Sequence, residues 1–146
     1  MADATGLIAT DTATICISDP VAMRHRKDDV GDWWSIRSNE LAEVRSGNAL
    51  ILNVGQDGEY RVEVSLREDP GTPGFCLSAP SGHIFVGPGE EMSGGGFEPN
   101  GEWGGFFISV EPTHHKVCIS RSGDLIAITI QPTEPFDNDL PDLIRI

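Results

Sequence analysis

The chain is predicted to be all-β, a single-domain antiparallel sandwich or barrel built from two related β units. Three observations carry that expectation. Gly (17) and Pro (10) are frequent, which implies many turns. Apolar residues mostly recur with period two, and no stretch sustains a 3.6-residue pattern. The chain also resembles itself. Gly6-Leu7-Ile8-Ala9-Thr10 is echoed by Gly74-Phe75-Cys76-Leu77-Ser78, and at the same offset Ile17 falls on Phe85 and Pro20 on Pro88. With small gaps, Gly31-Asp32-Trp33 falls on Gly101-Glu102-Trp103, and Arg61-Val62-Glu63-Val64-Ser65 on Lys116-Val117-Cys118-Ile119-Ser120. The units span about 6–66 and 74–120. A chain of 146 residues fits one domain.

Each unit opens with a short strand (7–10; 75–79) and a turn. A second strand (13–18; 83–87) ends at a proline, which cannot donate to a ladder. A polar crossing follows and ends in Gly-acid-Trp. Brief helix is expected at Val21 to Lys27 and at Asn39 to Ala42, and an extra strand at about Leu41 to Val44, with Arg45 to Asn48 as its turn. Ala49 to Leu66 is then read as the central hairpin. Leu50, Leu52 and Val54 alternate before Asp57-Gly58, and Tyr60, Val62, Val64 and Leu66 alternate after it. Asp69 to Gly74 is the seam between the units. Arg121 to Asp124 makes a turn into a closing strand, 125–130, ended by Pro132. The tail 132–146 is acidic and proline-rich, and either docks as an edge strand or frays.

Lys and Arg total 10 against 23 Asp and Glu, a formal charge of -13. No Lys or Arg lies between Arg67 and Lys116. Such a field repels nucleic acid and anionic membrane and attracts basic partners; it also simply confers solubility. The three cysteines sit in apolar runs and read as buried thiols of a reducing compartment. No signal-peptide pattern and no apolar run of membrane-spanning length occurs, so a cytoplasmic location is expected.

Two stretches stand out as candidate sites. The first is Asp32-Trp33-Trp34 with its echo Glu102-Trp103: an acid beside a flat aromatic suits a sugar or a basic protein, although Trp is equally a core plug. Trp34 has no aromatic twin and is the indole expected to be exposed, if one is. The second is the loop Gly87 to Phe97, with Glu90, Glu91 and three consecutive glycines, and with Met92 and Phe97 at its tip. It reads as a mobile contact loop or a plain linker. His114 and His115 are adjacent and point to opposite faces of a strand, which suits no shared metal. Asp137-Asn138-Asp139 with Asp142 is a faint calcium-like string without the glycine and terminal glutamate of the known loop. No G-x-S-x-G elbow occurs. No catalytic residue and no cofactor is assigned.

Ser18-Asp19-Pro20, Gly31-Asp32-Trp33-Trp34, Asp57-Gly58-Glu59-Tyr60 and Val86-Gly87-Pro88-Gly89-Glu90 resemble a group of small bacterial β proteins. Members of such groups are often encoded beside polymorphic toxins as immunity proteins. The resemblance implies a non-enzymatic, cytoplasmic protein that occludes the basic active-site surface of a toxin such as a nuclease. Asp32, Trp34, Glu90, Glu91 and Glu102 are the expected contact residues. A sugar- or calcium-binding β domain is the first alternative, and a hydrolase with a dispersed site the second.

Overall fold

The computed structural model describes residues 2–29, 31–93, 99–102 and 104–146. Two five-stranded sheets pack face to face as an open sandwich rather than a closed barrel. In chain order the strands are β1 (Ala4–Thr10), β2 (Thr14–Ser18), β3 (Ala49–Asn53), β4 (Gly58–Leu66), β5 (Phe75–Ser78), β6 (His83–Pro88), β7 (Phe106–Ser109), β8 (His114–Ser122), β9 (Leu125–Pro132) and β10 (Ile144–Arg145). One sheet has the order β1-β4-β9-β8-β5, the other β10-β3-β2-β6-β7. The order is symmetric: β1 and β4 mirror β5 and β8 about β9, and β3 and β2 mirror β7 and β6.

The sheets are mixed, not purely antiparallel. β4 and β8 run in opposite directions on either side of β9, so β9 must lie parallel to one of them; it is parallel to β4. β10 returns along β3 in parallel.

The expected central hairpin does not form. β3 pairs with β2 and β10 in one sheet, while β4 pairs with β1 and β9 in the other. The link between them crosses the sandwich. Gly55, at φ 89°, and the Tyr60 hydroxyl, which donates to the Gln56 carbonyl at 2.6 Å, shape that crossing. The alternation is real only in β4, where Tyr60, Val62 and Val64 face inward. In β3 Ala49, Leu50, Ile51 and Leu52 are all buried, because both its faces are covered.

The cover comes from the stretch between β2 and β3. It holds a 3-10 helix at Pro20–Arg26, a 3-10 turn at Trp33–Ser35 and a helix, α1 (Arg37–Ser46). The expected strand at Leu41 to Val44 lies inside α1. Leu41 and Val44 are three apart and share a buried side of a helix that packs on β3. The expected turn at Arg45 to Asn48 is the helix stop: Gly47, at φ 75°, sends its N–H back to the carbonyls of Glu43 and Val44.

The tail docks instead of fraying. Ile144 is buried, the Ile146 N–H reaches the Asn53 carbonyl at 3.0 Å, and Arg45 holds the Leu140 carbonyl at 2.7 Å. Cys16, Cys76 and Cys118 are buried and free, and burial pushes the Cys16 thiol up. No helix among the described residues is long and apolar enough to cross a membrane.

Candidate functional site

Strand register sorts the chemistry to the two ends of the sandwich. At one end meet the turn after β1, the β3–β4 crossing, the β8–β9 turn and the 3-10 turn Gly89–Met92. Thr10 pairs with Gly58 and the Arg61 backbone N–H donates to the Asp124 carbonyl, so exposed Asp11, Asp57, Glu59 and Asp124 ring this end, with Arg61 among them.

Glu90 is the keystone of that end. Its carboxylate accepts from the Thr10 hydroxyl (2.7 Å), the Thr12 hydroxyl (2.6 Å) and the Asp11 N–H (2.8 Å). Burial pushes its pKa up, but the donors from Thr12, Asp11 and Thr10 outweigh it and hold the carboxyl below its ordinary value. Gly89 permits this approach, since a Cβ there would stand 2.1 Å from the Thr14 hydroxyl oxygen.

The expected contact residues divide. Asp32 is exposed and accepts a short hydrogen bond from the Ser93 hydroxyl. Trp34 is not an exposed anchor: it is 4% exposed, and its indole N–H donates to the same Ser93 hydroxyl at 3.3 Å. Trp33 is buried too, with its N–H on the Met92 carbonyl at 2.8 Å and the Arg26 guanidinium over its ring. The two indoles therefore staple Met92 and Ser93 to Asp32. Met92 is buried, not a loop tip. Glu90 is committed inward and Glu91 is half-buried, so neither is a free docking side chain. Glu102 is exposed and pairs locally with Asn100, whose side-chain oxygen accepts the Glu102 N–H at 2.9 Å. Phe97 and Trp103 lie outside the described residues.

The opposite end holds what sequence reasoning passed over. A cleft of about 300 Å³ opens between the sheets, lined by Leu66, Val110, Ile130, Pro132 and His115, with Arg67, Glu68, Glu111 and Gln131 also bordering it. His114 is half-exposed, while His115 points inward and is 2% exposed. The His115 Nε2 lies 2.8 Å from the Glu111 carbonyl oxygen. A carbonyl oxygen only accepts, so Nε2 carries a proton; in the tautomer with that one proton, Nδ1 is an acceptor. Nδ1 is buried with no partner. An unmet buried acceptor costs about 1–3 kcal/mol. The signal in the sequence was faint: a histidine on the apolar phase of a strand that continues with Val117.

Other polar groups are structural. Asp19, fully buried, accepts from Val21 N–H and from the N–H and hydroxyl of Ser81, tying the 3-10 helix to the β5–β6 turn. Glu43 gathers His25, Arg26 and Asn48. Within the supposed calcium string, the Asn138 side chain is turned onto backbone. No group of three or more His, Cys, Asp and Glu gathers as a metal set among the described residues.

The architecture and its two ends define a small two-sheet β protein with an acidic end and an apolar inter-sheet cleft. The chain belongs to a family of unknown function, DUF6386, whose match spans residues 1–146. In three dimensions it is similar to a solved protein described as "Crocagin biosynthetic gene J", with a TM-score of 0.58 at 14% identity, covering 91% of this chain and 97% of that one. At that identity the likeness speaks for the fold alone. No curated protein matches the chain in sequence.

Proposed function

We propose that the protein is a non-enzymatic binding module whose acidic end docks onto a basic protein. In its narrower form it is a cytoplasmic immunity protein that covers the basic substrate surface of a toxin such as a nuclease. The supporting observation is the gathering of Asp11, Asp57, Glu59 and Asp124 at one end, around a Glu90 that rigidifies the turn. Fixed turns lower the ordering cost of association. A molecule of net charge -13 steers a basic partner from a distance. With Trp34 buried, the anchor of this interface is charge and not an indole.

The test is association kinetics with the product of the neighbouring open reading frame. The on-rate should fall steeply between low and physiological salt. The Asp11→Lys/Asp57→Lys/Asp124→Lys variant should lose at least tenfold in on-rate with an unchanged melting temperature. A salt-independent on-rate, or an unaffected triple variant, overturns the reading.

A further inference from the structure

We infer that the inter-sheet cleft over His115 binds a small, flat, apolar molecule with a single N–H or O–H donor, of the indole or phenol class. This site lies at the end of the sandwich opposite the acidic one and does not rest on the docking reading.

Three observations converge on it. The first is the unmet atom. The Nε2–H of His115 donates to the Glu111 carbonyl, so in the singly protonated tautomer Nδ1 is an acceptor, and nothing among the described residues donates to it. The second is the cavity. Its volume, about 300 Å³, is at the lower limit for small-molecule sites and admits one ring or two fused rings. The third is the lining. Leu66, Val110, Ile130 and Pro132 supply apolar walls, while Glu68 and Glu111 oppose Arg67 at the border. With two carboxylates beside one guanidinium, on a chain of net charge -13, the cleft disfavours an anion. A neutral body with one donor fits all three.

Nδ1 is closed to water in this arrangement. The ligand must therefore part the side chains above it. Leu66 lines the cleft and is 41% exposed, so it is the apolar wall residue with room to move. Closing it over a ring buries apolar surface on both partners and drives the step.

The experiment is a ¹H–¹⁵N titration of the full chain with indole and, in parallel, with 1-methylindole, which keeps the ring and removes the donor. Indole should give saturable shifts at residues 66–68, 110–111 and 130–131 and move the His115 Nδ1 resonance. 1-Methylindole should bind at least tenfold more weakly. Folded His115→Phe should lose the preference between the two. Equal affinity for both compounds, or no saturable shift from indole up to its solubility limit, overturns the proposal, and this comparison needs no variant to fold. A preference for indole that survives in folded His115→Phe overturns it as well.

Discussion

Asn138 uses its whole side-chain amide on backbone. Its Oδ1 accepts the Cys76 N–H at 2.7 Å, and its Nδ2 donates to the carbonyls of Cys76 and Val44, both at 2.8 Å. A single side chain thus pairs with the free edge of β5 as another strand would, and ties it to the end of α1. Replacement by Ala leaves buried backbone groups without partners. Asn138→Ala should lower stability by about 2–4 kcal/mol, read as a drop in the urea midpoint at constant slope. Asp cannot substitute, because it offers no donor to either carbonyl. None of this was legible. An Asn flanked by Asp137 and Asp139 in a proline-rich tail reads as solvated, and its partners lie far away in the chain. Thr10, Thr12 and Thr14 were more nearly readable, since period-two hydroxyls on one edge anticipate an acceptor such as Glu90.

At the scale of elements, strands announced themselves where one face meets solvent. The inner residues of β4, β8 and β9 alternate with outer ones, and period two locates them. β3 is buried from Ala49 to Leu52, so its pattern named neither its sheet nor its neighbour. The same burial hid the helix. α1 carries Glu40 and Glu43 on buried positions beside Leu41 and Val44, and mixed polarity on a packed face erases an amphipathic stripe. Its stop is testable. Gly47 sits at φ 75°, where a Cβ would also stand 3.1 Å from the Cys76 carbonyl oxygen. Gly47→Ala should therefore cost about 1–2 kcal/mol from backbone strain alone. Gly71, at φ 86° with open space around it, provides the comparison, because Ala there meets the strain without the crowding. The melting temperature of Gly47→Ala should fall further than that of Gly71→Ala.

For the molecule as a whole, acid stability follows from opposed carboxylates. Glu90 and Glu43 are both desolvated, yet hydrogen bonds hold both below their ordinary value; for Glu43 these come from Asn48, His25 and Arg26. A carboxyl depressed on folding contributes stability above its unfolded value, and that contribution is lost as the pH falls through the folded one. Glu40 acts in the opposite sense, since burial raises it despite the bond from Asn53. Its contribution is present at low pH and is lost as the pH rises through its raised value. Glu90→Gln should cost about 1–2 kcal/mol at pH 7, through the charge-assisted bonds it weakens. The gap between wild type and variant should narrow as the pH is lowered from 5 to 3, in paired urea titrations. A gap that stays constant with pH would remove the ionised Glu90 from the account.

β9 lies between β4 and β8, and so between the two symmetric halves. While the chain is being made on the ribosome, β1 and β4 emerge early and pair, but the inner edge of β4 then waits for Leu125 to Ile130. Until that late segment arrives, Tyr60, Val62 and Val64 lack the neighbour that closes their layer. Pairings this distant in the chain close slowly, and an edge left waiting is open to other contacts. The first half of the chain therefore becomes native only by borrowing a strand from its last quarter.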